Sequence, residues 1–211
     1  SPDVQTVASA SSDSTVRLWD LQGNQLSRFE GHWGHVKTVA FSPDGTILAS
    51  GDQSGVIKLW DRQGKSRTLQ SEDKEESTVW SLAISPDGTQ IVSGRDDGLI
   101  HLWTVQGQLL KTLRGHTGAI VTVAVSPDGR LIASGGSDEI IRLWDQQGNL
   151  LQELEGHTDS VMSLTFSPNG QWLISGGNDN TVRVWSRDGQ PVGPPLIGHD
   201  YFVYSVAVSP D

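Results

Sequence analysis

The sequence Ser-Pro-Asp-Gly-Arg-Leu-Ile-Ala-Ser-Gly-Gly-Ser-Asp-Glu-Ile-Ile-Arg-Leu-Trp-Asp, residues 126–145, decides the fold because its landmarks return at a fixed interval. A Ser-Pro-Asp triplet, or once Ser-Pro-Asn, recurs at spacings of 41, 43, 41, 41 and 42 residues, beginning at Ser1, Ser42, Ser85, Ser126, Ser167 and Ser209. A tryptophan follows 18 residues after each of the first five serines, at Trp19, Trp60, Trp103, Trp144 and Trp185. This constant spacing predicts five repeats of one rigid supersecondary unit.

Each repeat has the pattern of a four-stranded antiparallel meander. A short apolar run such as 47–50 leads through a Gly- and Asp-rich turn to an alternating run such as 140–144. A shorter alternating run such as 109–113 follows, and a further apolar run precedes each Ser-Pro-Asp, at 36–41, 79–84, 120–125, 161–166 and 203–208. Because Gly or Pro interrupts every 8 to 12 residues, we predict an all-β chain with almost no helix.

Composition removes several classes of function. The 211 residues carry a net charge of -10, which disfavours nucleic acid and membrane surfaces as partners. There is no cysteine, so thiol chemistry and cysteine-bound zinc are excluded. No apolar run approaches the roughly 18 residues of a membrane span. We therefore expect a soluble, cytoplasmic protein.

Two further landmarks recur in register with the period. Trp-Asp occurs at 19/20, 60/61 and 144/145, and Gly-His occurs at 31/32, 115/116, 156/157 and 198/199. With the period of about 42 residues, they resemble the WD-repeat (WD40) family of β-propellers. The resemblance implies a ring of blades around a channel that serves as a platform for protein partners, usually without catalytic activity. The similarity among the repeats also resembles bacterial, especially cyanobacterial-type, WD arrays.

Histidine, serine and aspartate recur together with the tryptophan and could be mistaken for a hydrolase triad. Complete sets are His199, Ser9, Asp13, Trp19; His116, Ser134, Asp138, Trp144; and His157, Ser175, Asp179, Trp185. An enzyme needs one site, so three copies indicate architecture, and the family resemblance implies a structural hydrogen-bond network within each blade. We therefore expect neither enzymatic activity nor a cofactor. We also expect no metal site, because the repeated histidines lie in separate blades and cannot share a metal ion.

Two blades depart from this set. The second has His32, Ser50 and Trp60 but Ser54 where aspartate is expected. The third has Ser93, Asp97 and Trp103 but Glu75 in place of histidine, within an acidic run that is either a solvated loop or a contact for a basic partner. We expect these two blades to be the least stable.

Variable residues at the face where the loops emerge are the candidates for partner binding. We expect large aromatic and charged side chains to group there in the first three blades: Trp33, His35, Lys37, Trp80, Asp96, Phe202 and Tyr204, with Met162 at a matching position. Exposed aromatic residues beside charges are typical of protein-binding hot spots. The alternative is that Trp80 and Tyr204 only fill the mouth of the channel.

The sequence favours a non-catalytic interaction scaffold or sensor module for a protein or peptide. The alternative is a regulatory domain of a larger NTPase, kinase or protease-like enzyme. The start of the sequence at Ser1, within a repeat, supports this alternative. Binding of small molecules or glycans would need similar pockets in all blades, and the varied positions argue against it.

The single domain 1–211 is expected to contain units starting at 1, 42, 85, 126 and 167, with 199–211 supplying the first strand of a closing or further blade. A closed five-blade ring, in which 203–208 pair with 4–10 and two open sheet edges are removed, is slightly favoured over an arc of five blades cut from a longer ring, because the total length is a whole number of repeats.

Overall fold

The computed structural model describes residues 1–69 and 77–209, which form 19 β-strands. These residues contain no helix, so none is long and apolar enough to span a membrane. The all-β prediction is confirmed. The strands form five antiparallel sheets in chain order, here called blades one to five.

Blade one contains three strands and each of the others four. Blade one comprises β1 (Thr6–Ala10), β2 (Val16–Asp20) and β3 (Gln25–Phe29); blade two comprises β4 (Val36–Phe41), β5 (Ile47–Asp52), β6 (Ile57–Asp61) and β7 (Ser66–Leu69). Blade three comprises β8 (Val79–Ile84), β9 (Gln90–Arg95), β10 (Ile100–Thr104) and β11 (Leu109–Leu113). Blade four comprises β12 (Ile120–Val125), β13 (Leu131–Gly136), β14 (Ile141–Asp145) and β15 (Leu150–Leu154); blade five comprises β16 (Val161–Phe166), β17 (Trp172–Gly177), β18 (Thr181–Ser186) and β19 (Leu196–Ile197).

The Ser-Pro-Asp-Gly motif is the turn between the first and second strands of a blade. In blade four the Gly129 N–H donates to the Ser126 carbonyl at 2.8 Å, and the Ser126 hydroxyl donates to Asp128 at 2.7 Å. Gly129 has a φ of +71°, a conformation that glycine adopts at no steric cost. The hydrogen bond from Ser126, helped by Arg187, lowers the pKa of Asp128 to about 2. The motif therefore fixes the register of the two strands.

The hydrophobic core lies in the seams between neighbouring blades, each of which has its own cluster. The cluster between blades two and three, for example, packs Leu59 and Leu69 against Val79, Ile91 and Trp103. From blade two onward the repeated tryptophan of each blade therefore packs against the preceding blade. The stability of each blade thus depends on the blades stacked beside it.

Two contacts repeat at successive seams. A glycine in the second strand accommodates the first residue of the next blade's inner strand: a Cβ on Gly51 would lie 2.5 Å from Val79, and one on Gly94 would lie 2.6 Å from Ile120. A backbone N–H of that inner strand also donates to a hydroxyl of the preceding one, at 3.1–3.2 Å, in the pairs Leu82–Thr38, Val123–Ser81, Leu164–Thr122 and Val206–Ser163. Because the same two contacts recur, each blade packs on the preceding one in the same orientation.

The segment 203–208 repeats this seam with blade five instead of joining blade one. A Cβ on Gly176 would lie 2.7 Å from Val203, and the Val206 N–H donates to Ser163. Within the described residues β1 pairs only with β2, so the favoured pairing of 203–208 with 4–10 is wrong and the blades form an open arc. The segment lies against blade five because its contacts with Gly176 and Ser163 are the same as those made by the inner strands at the preceding seams.

We expect Gly94→Ala to lower the free energy of unfolding by about 1–3 kcal/mol, because its Cβ overpacks the seam against Ile120 and Val123. Urea unfolding measures the change. Gly198→Ala is the matched control, since a Cβ there meets no atom within 4 Å among the described residues. Equal losses in the two variants would contradict the seam interpretation.

Candidate functional site

The predicted histidine, serine, aspartate and tryptophan sets form a connected hydrogen-bond network in blade four. The Trp144 indole N–H donates to the Ser134 hydroxyl at 2.9 Å, and His116 Nε2 lies 2.7 Å from that hydroxyl. His116 Nδ1 lies 2.9 Å from Asp138, to which Arg142 also donates at 2.6 Å. The network joins the loop before β12 to the β13–β14 hairpin.

Blade five repeats the arrangement. The Trp185 indole donates to Ser175 at 2.9 Å, and His157 bridges Ser175 at 2.7 Å and Asp179 at 2.8 Å. Burial lowers the pKa of His157 below its ordinary 6.5, although Asp179 opposes this. Burial would raise the pKa of Asp179, but hydrogen bonds from Thr181 and His157 more than offset it and hold the pKa below 3.8.

Blade two completes the same network with an acid at a position other than the one the sequence predicts. Asp52, not Ser54, lies 2.7 Å from His32 Nδ1, and both side chains are fully buried. His32 and Trp60 meet at the Ser50 hydroxyl at 2.6 and 2.7 Å. The expectation that Ser54 leaves this blade without its acceptor is therefore wrong. Asp52 stands two residues after Ser50, where blades four and five have Gly136 and Gly177.

Blade three keeps the tryptophan–serine bond and rebuilds the rest. The Trp103 indole donates to Ser93 at 3.0 Å, and the buried His101 ring meets Trp103 edge-on at 5.4 Å. Asp97 lies 3.3 Å from the buried Arg95. Glu75, predicted to replace the histidine, and the rest of the acidic run at 72–76 lie outside the described residues. Ser77, just after that run, accepts a hydrogen bond from the Asp97 N–H at 3.0 Å.

Blade one keeps the tryptophan–serine bond but lacks the histidine that ring closure was expected to supply. The Trp19 indole donates to Ser9 at 2.9 Å, but Asp13 binds Thr15 and Arg17 instead of a histidine. The hydrogen bonds from Thr15 lower the pKa of Asp13 to about 2. His199 is exposed and lies beside blade five, so its predicted grouping with Ser9, Asp13 and Trp19 is wrong.

The geometry of these sets favours architecture over hydrolysis. Ser50, Ser93, Ser134 and Ser175 are 0% exposed, so a substrate cannot reach their hydroxyls. In blades two, four and five each hydroxyl is also engaged by both an indole and an imidazole. Such fully satisfied polar networks rigidify the elements that they join.

Part of the predicted binding surface lies on blades two and three, where Trp80 contacts both Lys37 and Asp96. The Trp80 indole N–H donates to Asp96 at 2.9 Å, and the Lys37 ammonium lies 5.2 Å from the centre of the Trp80 ring. Trp80 is 37% exposed and Trp33, in the loop before β4, is 91% exposed. We call Trp33, His35, Lys37, Trp80 and Asp96 the Trp80 cluster.

The remaining predicted surface residues lie in another sector of the arc. Phe202 and Tyr204 contact each other edge-on at 6.1 Å, on the segment that packs against blade five. Met162 belongs to β16 of blade five and is half-buried. Blade four stands between them and the Trp80 cluster, so the expected grouping of Phe202 and Tyr204 with the first three blades is wrong.

Comparison with known proteins agrees with the repeat structure. The family model described as WD domain, G-beta repeat, matches residues 1–20, 23–61, 65–104, 107–145 and 148–186. A stretch of 40 residues is 52% identical to the Probable E3 ubiquitin ligase complex SCF subunit scon-2 of Neurospora crassa. That match covers 18% of this chain and 6% of the relative, about the length of one repeat.

We expect Asp52→Ala to lower the free energy of unfolding by about 1–3 kcal/mol, because the buried His32 ring and the Val56 N–H lose their acceptor. Ser54→Ala is the matched control and should change it by less than about 0.5 kcal/mol. Urea unfolding compares the two variants. A larger loss in Ser54→Ala than in Asp52→Ala would contradict the assignment of Asp52 as the acid of this network.

The pKa shifts predict acid destabilisation in two stages. Below about pH 6.5 the unfolded chain protonates His157 more readily than the folded chain does, so stability falls. Below about pH 3.8 the unfolded chain likewise protonates Asp138 and Asp179 first, and the remaining stability of the networks is lost. Urea unfolding across this range should show both stages, and the exposed-site variant His199→Gln should follow the wild-type profile. A free energy of unfolding that does not change between about pH 7.5 and 5.5 would contradict the first stage.

Proposed function

Because this chain belongs to the WD-repeat family, we propose that it is a non-catalytic scaffold that presents the Trp80 cluster to a protein or peptide. WD40 repeats in general serve as scaffolds for protein interactions. The Neurospora crassa relative is by name a subunit of a complex, which supports a protein as the partner of this chain too.

The observation that carries the proposal is the fixed orientation of an exposed tryptophan. Trp80 is held at its edge by Asp96 and on its face by Lys37, yet more than a third of it is open to solvent. A side chain fixed before binding loses little conformational entropy in the complex. Tryptophan and tyrosine anchors of this kind dominate the binding energy of protein interfaces.

Trp33 adds exposed apolar area to this surface, and we expect its replacement to cost little stability. It is almost wholly exposed, in a loop whose backbone is tied down where the Gln53 N–H donates to the His35 carbonyl at 2.9 Å. A single exposed tryptophan needs no explanation, but two beside a lysine and an aspartate provide apolar area with a polar rim. This composition suits a partner segment with an apolar residue at its centre.

We expect Trp33→Ala and Trp80→Ala each to weaken partner capture by about 30-fold or more, the effect of removing a hot spot of about 2 kcal/mol. Immobilised wild-type and variant proteins are compared for the protein that they retain, with thermal unfolding as the check on folding.

Trp172→Ala is the matched control for this experiment. Trp172 is 39% exposed, much like Trp80, but it lies where β17 begins, at the Ser-Pro-Asn-Gly end of the sheet. It should retain the partner as the wild type does. Undiminished capture by both cluster variants, or unfolding of the Trp80 variant, would refute the proposed surface.

A further inference from the structure

Blade four pairs a buried arginine with two carboxylates. Arg142, two residues before Trp144, donates to Asp138 at 2.6 Å and to Glu153 on the neighbouring strand at 2.8 Å. Arg142 and Glu153 are directly opposite each other in the β14–β15 ladder. The guanidinium is thus satisfied from within its own blade, as a charge at low exposure requires.

Blade five has the same arginine without those carboxylates. Arg183, two residues before Trp185, makes no hydrogen bond or ion pair with any residue in 1–69 or 77–209, and its Nε is buried. Asp179, the equivalent of Asp138, is instead held by His157, Thr181 and the Thr158 N–H. An unpartnered buried donor costs about 1–3 kcal/mol, so this site favours binding of an acceptor.

The outer strand explains the difference. In blade five Thr181 faces Ile197 and Val182 faces Leu196, so the next position along the ladder, opposite Arg183, falls to Pro195. Proline has no carboxylate to offer. The strand β19 is only two residues long, and its side chains are exposed, Leu196 by 56% and Ile197 by 82%.

We propose that Arg183 binds an aspartate or glutamate of a partner protein, in the place that Glu153 fills in blade four. The exposed Leu196 and Ile197 lie on the same short outer strand and suit apolar residues next to that carboxylate. The recognised segment thus resembles the sequence of β15, in which Glu153 stands between Gln152 and Leu154. The site lies at the outer strands of blade five, apart from the Trp80 cluster, and does not depend on the function of that cluster.

The electrostatics of the site agree with an acidic partner. The charge of Arg183 contributes to lowering the pKa of His157, because the guanidinium disfavours a second positive charge beside it. His157 is already paired with Asp179 at 2.8 Å and does not compete for the incoming carboxylate. An arginine–carboxylate pair at a partly desolvated site has the stronger, charge-assisted hydrogen bonds.

The test uses the whole chain and a fluorescent peptide with the sequence of residues 149–155, Asn-Leu-Leu-Gln-Glu-Leu-Glu. We expect binding by anisotropy to weaken about tenfold or more in Arg183→Gln, the loss of one charge-assisted contact. A peptide with glutamine at the position of Glu153 should show the same loss. Arg17→Gln is the matched control, because Arg17 already pairs with Asp13 at 2.8 Å and should leave the affinity unchanged.

A second variant tests the site from inside the chain. Pro195→Glu places a carboxylate opposite Arg183, and we expect it both to raise the midpoint of thermal unfolding and to weaken peptide binding. Equal binding by wild type and Arg183→Gln, or equal binding of the two peptides, would overturn the proposal. Displacement of the peptide by acetate at a similar concentration would also overturn it, because Arg183 would then bind only a free anion.

Discussion

The hydrogen bond from the tryptophan indole to the serine hydroxyl is the interaction on which every blade depends. It recurs in all five, at 2.9, 2.7, 3.0, 2.9 and 2.9 Å, and joins the third strand to the second in the four-stranded blades and β2 to β1 in blade one. From blade two onward the same indole ring packs into the preceding seam, so one side chain fixes both the hairpin and the stacking. The histidine and the acid are added to this bond and vary between blades.

The sequence predicted the repeating elements well because they are determined locally. The constant 18-residue interval from serine to tryptophan allowed one arrangement of turn and strands, and the structure has it in each blade. The acid of blade two could not be assigned by position, because Asp52 reaches His32 from a place that is glycine in blades four and five. Comparing the residue two positions after each serine would have found it.

Long-range geometry was harder to predict than local structure. The whole number of repeats suggested closure, but the placement of 203–208 follows from contacts at Gly176 and Ser163, whose effect on blade rotation no spacing reveals. The error carried over to the surface, since Phe202 and Tyr204 were assigned to a sector that they do not occupy. Lys37 lies over the Trp80 ring because neighbouring inner strands run side by side, whereas the proline opposite Arg183 follows from the register of β19, which the repeat pattern does not predict.

The repeated seam has a consequence for how such an array changes in length. From blade two onward each unit carries a glycine and a hydroxyl on one side, and the unit or segment that follows it brings an apolar residue and a backbone N–H that fit them. A duplicated unit therefore brings both halves of a compatible interface with it, and a deleted unit leaves two matching halves behind. Copy number can vary by whole units without any new packing solution, while side chains such as those of the Trp80 cluster diverge independently in each copy.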